Sequence, residues 1–309
     1  MILEDVCSKA IRGYQIIIKN INGNIEVEMK KKCNIDENKS VGKQKKVFKK
    51  ILKIFLCLLL LVVLVNVLVP LFCRKPDKEF AENLKKTEFT SEFPGEEKIR
   101  CVDDNDEALL WRLRMIGTAK ESIVLSTFDL RADDSGTDLI AALNHAAEKG
   151  VKIRLLIDGI YQKLFLDGSR DFQALAARDN VEVGIYNPIT PLNLFRLNYR
   201  MHDKYVICDD QLLLLGGRNT FDYFLGSYPT DSRSYDREVL IYNTDFKNGC
   251  TNSVISQVKA YFQSIWDSSY VKDFHDQESL SSRKSVQKKI RLLEERYQTL
   301  SDLYPECFQ

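Results

Sequence analysis

The sequence predicts an α/β domain carried behind a single membrane-spanning helix. Three observations lead there: an uncharged apolar run from Ile54 to Phe72, alternating helical and strand periodicity from about Cys101 to Trp266, and a hydrophobic hairpin, Arg200 to Asn219, that ends in Gly216-Gly217. With 44% apolar residues among 309, the chain is not wholly disordered. Lys and Arg number 45 against 44 Asp and Glu, so no global basic field recommends nucleic acid as a partner.

Residues 1–53 are Lys-rich and hold "IIIKNINGNIEVEMKKK", which predicts a short hairpin around Asn22-Gly23. No function attaches to it beyond a basic juxtamembrane segment near anionic lipid. The apolar run that follows is 19 residues long. As a helix it rises roughly 28 Å, close to the hydrocarbon thickness of a bilayer. A buried core helix needs a polar face for water, and this run has none. A cleaved signal peptide starts near the N-terminus and ends in small residues, whereas this run starts past residue 50 and ends in "VPLFCRK". Residues 54–73 therefore read as an uncleaved anchor. Six lysines precede it between Gly42 and Lys53, while Arg74, Lys75 and Lys78 after it are balanced by Asp77, Glu79 and Glu82. The larger basic excess stays inside, so the N-terminus is expected in the cytoplasm and everything after Cys73 outside it.

Residues 74–100 are polar, with Pro76 and Pro94-Gly95, and read as a stalk. The domain then spans 101–270. It is expected to run through a helix from Asp106 to Lys120, a strand Ser122 to Phe128, a helix Thr137 to Gly150 and a strand Val151 to Asp158. A helix from Arg170 to Arg178 and a strand from Val181 to Asn187 come next, then a Pro-containing loop, 188–198. The hairpin turns at Asp209-Asp210-Gln211; a strand from Arg237 to Asn243 and a helix from Thr251 to about Trp266 complete the set. Residues 271–309 read as a charged helical tail or an interdomain linker. The alternation implies a sheet covered on both faces.

The eight cysteines, at 7, 33, 57, 73, 101, 208, 250 and 307, show no CxxC or Cys/His metal spacing, so no metal site is expected. Cys101, Cys208, Cys250 and Cys307 lie beyond the anchor, and any pairing among them is open. No nucleotide-binding glycine motif is present.

The chemistry is concentrated in the hairpin. On a strand, residues two apart share a face, so His202 and Lys204 project together and Asp203 points away. An ammonium beside an imidazole suits attack on an anion: the Lys holds negative oxygens and the His serves as nucleophile or proton carrier. The cation also favours the neutral imidazole that a nucleophile needs. Gly216-Gly217 suits close approach of backbone to a ligand, and Asn219 adds a neutral amide. His145 and His275 lack such a setting and read as ordinary residues.

The pattern His202-x-Lys204-x4-Asp209-x6-Gly216-Gly217-x-Asn219 resembles the HxKxxxxD…GGxN motif of the phospholipase D superfamily, which includes phospholipases D, cardiolipin synthases, phosphatidylserine synthases and some nucleases. The stretch from about Cys101 to Trp266 resembles the first catalytic half of bacterial cardiolipin synthase-type members, and the anchor fits that group. The resemblance implies a mixed sheet flanked by helices. It implies His202 as phosphohistidine nucleophile or leaving-group acid, and Lys204, Asn219 and Gly217 as phosphate-binding positions. Asp209 matches the motif's acid, set among the catalytic positions and read mainly as organising the turn; Asp236 matches an acid that orients the nucleophile's other ring nitrogen. Activity without metal or cofactor on glycerophospholipid head groups follows from the same likeness.

The superfamily's site uses two such motifs, and this sequence has one. Three readings stay open: a second copy of the chain supplies the other histidine, a separate C-terminal half supplies it, or the chain is an incomplete, inactive half-domain. A dimeric phosphodiesterase or nuclease is the rival activity.

Overall fold

The computed structural model describes residues 14–21, 24–31, 35–72, 77–86, 95–190, 196–245, 253–274 and 277–308. The chain divides into two compact units, one ending at Leu68 and one beginning at Val69.

In the first unit, β1 (Tyr14–Ile21) and β2 (Asn24–Lys31) pair antiparallel with Ile21 opposite Asn24, as the Asn-Gly signal requires, although Asn22 and Gly23 lie outside the described residues. Helix α1 (Ile35–Leu68) runs unbroken through the basic segment into the apolar one. Its stretch Lys45–Leu68 is long and apolar enough to cross a membrane, and none of it is buried. Asn66 turns its amide back to the Val62 carbonyl (2.9 Å).

The second unit opens with α2 (Lys78–Lys86) and is built on eight strands. In chain order these are β3 (Glu97–Val102), β4 (Ser122–Thr127), β5 (Lys152–Asp158), β6 (Val181–Tyr186), β7 (Lys204–Cys208), β8 (Leu212–Gly216), β9 (Glu238–Asn243) and β10 (Val271–Asp273). Their order across the sheet is β10-β6-β5-β4-β7-β8-β9-β3. Strands β4, β5 and β6 are parallel and every other neighbour is antiparallel, so the sheet is mixed.

The period of two sorts side chains between the faces. Ile123, Leu125, Ile153, Leu155, Val206 and Leu214 join one core with α3 (Asn105–Thr118), α4 (Asp134–Glu148), α5 (Arg170–Ala176) and α8 (Lys284–Leu303). Their neighbours Val124, Leu156, Tyr205, Ile207 and Leu213 meet Ile255 and Phe262 of α6 (Val254–Trp266) on the other face. A short helix, α7 (Gln277–Ser281), precedes α8.

Two boundaries differ from the sequence expectation. Residues 97–100, assigned to the stalk, already belong to the sheet: β3 pairs with β9 from Glu97 opposite Asn243 to Val102 opposite Glu238. This edge strand exposes most of its residues, so it carries no period-two pattern to read. The terminal helix, expected to project as a tail or linker, packs on the domain through Val286, Leu293, Tyr297 and Leu300. His145, read as an ordinary helix residue, stacks on Tyr297 at 3.7 Å and meets Glu294 at 2.8 Å. His275 and Cys250 lie outside the described residues, while Cys101, Cys208 and Cys307 are free thiols.

Candidate active site

Pairing in the middle of the sheet assembles the site. Strand β7 lies between β4 and β8, with Lys204 opposite Thr127 and Tyr205 opposite Leu215. Continuing both registers by two residues sets His202 beside the end of β4 on one side and the residues after Gly216 on the other. The site thus sits at the carboxyl ends of the parallel strands β4 and β5, where open α/β sheets present ligands.

His202 is exposed, and its ring meets Phe128 edge-on at 4.4 Å between centroids. Lys204 is 5% exposed; its Nζ donates to the His202 carbonyl (2.9 Å) and lies 5.0 Å above the Phe128 ring. Phe128 is therefore a shared floor for both groups. Asp203 points to the opposite face, where it accepts from Tyr261 Oη at 3.0 Å. Partial burial and then the Lys204 charge hold the His202 imidazole below its ordinary value, while Asp203 and Asp158 pull the other way. Burial also lowers Lys204, opposed by Asp203, Asp236 and Asp129.

The segment before His202 is fixed from below. Asp158, fully buried at the end of β5, accepts from Ile160 N (2.9 Å), Met201 N (3.1 Å) and Arg200 Nη1 (3.2 Å). Arg200 Nη2 reaches the Asn187 carbonyl at 2.8 Å. Burial pushes the Asp158 carboxyl up, against these donors. On the other side, Thr220 N donates to Asp129 O (2.9 Å), Arg131 N donates to Thr220 O (3.2 Å), and the Thr127 and Thr220 hydroxyls lie 3.3 Å apart. Asn219 is held between these anchors and Arg218. The Arg218 side chain, wholly buried, donates to Asn105 Oδ1 and Val102 O at 3.1 Å each and to Asp103 O. Beside it Arg112 grips Glu238 in two bonds of 2.7 and 2.5 Å. Asn219 Oδ1 is buried and accepts no hydrogen bond among the described residues.

Three further expected site residues have the following places. Asp209 sits at the far end of β7, about 20 Å along the strand from His202. It adopts positive φ (52°) with Asp210 (55°), and its carboxylate accepts from Lys120, Glu121 and Ser122 N–H at 2.7, 2.8 and 2.9 Å. It clasps the hairpin turn to the start of β4, the turn-organising place read for it in the motif. Gly217 has no room for a side chain, since a Cβ there would run into the Asp236 carboxylate. Asp236 in turn is not hydrogen-bonded to His202 among the described residues; it accepts from Arg237 N (2.7 Å) and draws on the charge of Lys204.

Sequence reading also missed Phe128 and Asp158, which the fold brings to His202 from 74 and 44 positions away, and Asp129, whose charge acts on Lys204. The terminal Asp of "VKIRLLID", ending a buried parallel strand, was the available signal.

Residues 113–266 match the family described as "Cardiolipin synthase, PLD-like domain". The chain belongs to the phospholipase D superfamily. An uncharacterized protein of Helicobacter pylori J99 is 30% identical over 198 residues, 60% of this chain and 36% of that one. Cardiolipin synthase B of Escherichia coli K12 is 32% identical over 142 residues, 44% of this chain and 33% of that protein. The chain thus spans about a third of the length of the curated relatives it matches. Among solved structures, the phospholipase D family member Nuc from Salmonella typhimurium aligns with a TM-score of 0.40 and 18% identity, covering 58% of this chain and 98% of that one.

Proposed function

We propose that this chain is a membrane-anchored phospholipase D-type phosphodiesterase or phosphatidyltransferase that acts on glycerophospholipids through a phosphohistidine. The observation that carries the reading is the His202–Lys204 pair: an exposed imidazole whose pKa burial and Lys204 hold below the ordinary value, beside a buried ammonium, on one aromatic floor. Lys204 and Asn219 hold the non-bridging oxygens. A ring nitrogen of neutral His202 attacks phosphorus, and the bond from phosphorus to the head-group oxygen breaks. The leaving alkoxide takes a proton from a second acid on the far side. That group then deprotonates a water or alcohol, whose attack on phosphorus releases His202.

His202 cannot serve both sides of one phosphorus. The second acid comes from another HxKxxxxD half, either a second copy related by a two-fold axis or a separate C-terminal half. The apolar stretch Lys45–Leu68 supports anchoring, and the lysine excess before it supports a cytoplasmic N-terminus with the second unit outside.

Substitution His202→Ala tests the assignment. With a phosphatidyl ester as substrate and EDTA present, the variant loses at least a thousandfold in rate, while its circular dichroism and melting stay those of the wild type. Equal rates would remove His202 from the chemistry, and a strict need for a divalent metal would exclude the metal-free route.

A further inference from the structure

Helix α2 carries an apolar face that the described residues leave uncovered. None of its nine residues is buried, and Phe80 and Leu84 are 61% and 50% exposed. At about 100° per residue, Phe80, Leu84 and Ala81 fall within one arc of roughly 100°, and the six charged and polar residues fill the opposite side. The helix is specified locally. Asp77 caps it, its carboxylate accepting from Glu79 N at 3.2 Å and its carbonyl from Ala81 N at 2.9 Å. Glu79 lies in the first turn and Lys85 and Lys86 in the last, as the helix dipole favours. Even so, a helix this short is marginal in water, because few hydrogen bonds repay its nucleation. A sequence sorted so completely between two faces is stable only against a surface.

The place of α2 in the chain names that surface. Five residues separate Lys78 from Phe72, where the uncharged run ends. Fully extended, they carry Lys78 no more than about 20 Å from Phe72. With Lys45–Leu68 across a membrane, α2 never leaves the neighbourhood of the leaflet in which that span ends. Its polar face holds three lysines against two glutamates, and Arg74 and Lys75 precede it. An apolar strip flanked by excess positive charge is what an anionic lipid surface binds.

We infer that α2 is an interfacial helix, lying along the bilayer surface with Phe80, Ala81 and Leu84 sunk to the boundary between headgroups and acyl chains. The inference rests on the reading of Lys45–Leu68 as an anchor and is independent of the chemistry at His202. Docking shortens the tether of the catalytic domain. Residues 73–96, fully extended, would let β3 begin about 80 Å from Phe72. With α2 held on lipid, only residues 87–96 remain free, a reach of about 33 Å. The helix thus keeps the domain close to the headgroups.

Photocrosslinking of the full chain in vesicles tests the placement. Benzoylphenylalanine replaces Phe80, Leu84, Glu82 or Leu60 in turn, in protein reconstituted into phosphatidylcholine vesicles that contain phosphatidylglycerol. After irradiation, peptide mass spectrometry reads adducts of one phospholipid, and gel electrophoresis reads links to protein. Positions 80 and 84 give roughly fivefold or more the lipid adduct of position 82, which faces water. Position 60, inside the span, gives the adduct as well. Equal labelling at 80, 82 and 84 would mean a segment near lipid with no docked face, and would overturn the inference. Links from 80 and 84 to a second copy or to the chain's own domain, in place of lipid, would overturn it too. Absence of lipid adduct at position 60 would instead remove the anchor reading, and the inference with it.

Discussion

His202 and Lys204 are two residues apart and differ sharply in exposure, and the difference is chemical. The ammonium is buried where its charge is little screened, and the imidazole is at the surface where a phosphodiester can reach it. Partial burial is the larger cause of the depressed His202 value and the Lys204 charge the second. Lys204→Met therefore raises the His202 pKa toward the ordinary imidazole value without restoring it fully. Titration of the His202 ring by NMR measures this, and an unchanged or lower value contradicts the electrostatic account. In the wild type the acidic limb of the rate profile, set by protonation of the nucleophile, falls below the ordinary imidazole pKa of 6.5.

The motif residues were legible because a strand puts i and i+2 on one face and a glycine pair punctuates its end. Asp209 and Gly217 were legible as motif members, but their contacts were not. The first turns its carboxylate to three backbone N–H groups at the opposite end of the strand, and the second yields its space to Asp236. Position in a motif does not distinguish a group that touches the phosphate from one that shapes the hairpin.

At the scale of elements, the start of α4 is joined to the loop after β8 by two reciprocal carboxylates. Asp133 accepts from Gly136 N at 3.2 Å and from Asp222 N at 2.9 Å, and Asp222 accepts from Ser135 N at 2.7 Å. Burial, joined by the Asp222 charge and opposed by these N–H groups, raises Asp133 to about 6. A folded value above the unfolded one means the native state binds the extra proton. The contribution is thus full below the unfolded value of 3.8 and is lost as pH rises through about 6. Each oxygen of the Asp133 carboxylate has its own donor, Gly136 N on Oδ1 and Asp222 N on Oδ2, so Asp133→Asn removes the buried charge and also sets one NH2 against a backbone N–H. At pH 4 the variant melts lower than the wild type by roughly 2–4 °C, the shift worth about 1 kcal/mol in a domain of this size. The deficit narrows as pH rises through about 6, because only the wild type loses stability there. A deficit equal at pH 4 and pH 7.5 would show that the titration of Asp133 is not linked to folding.

The edge strand β3 and helix α8 mark where element reading fails. A strand exposed along most of its length has no alternation, and in α8 four buried residues are spread through twenty mostly charged and polar ones. Both are recognised only once the sheet and its helices are present to receive them. Asp158 and Phe128 were hidden for a related reason: their relation to His202 is made by strand pairing, which no local window contains.

For the whole molecule, the proposed phosphohistidine route needs a second acid, and the sequence holds one HxKxxxxD motif. If a second copy completes it, the full chain in detergent has the mass of a dimer wherever it turns over a natural lipid, and dilution to monomer abolishes turnover. Turnover by a strictly monomeric protein would refute the need for a paired histidine. A monomer without turnover assigns the second acid to a separate half. With either partner, the role proposed for His202 as nucleophile is the same and can be isolated from the leaving-group step. A bis(4-nitrophenyl) phosphate substrate has a leaving group that departs without a proton, so one half-site is enough to form the adduct. After an alkaline quench, peptide mass spectrometry should find the nitrophenyl phosphoryl group on the peptide that contains His202, and nowhere in the His202→Ala variant. Release of nitrophenol with no adduct, or with the label on another residue, would contradict the account.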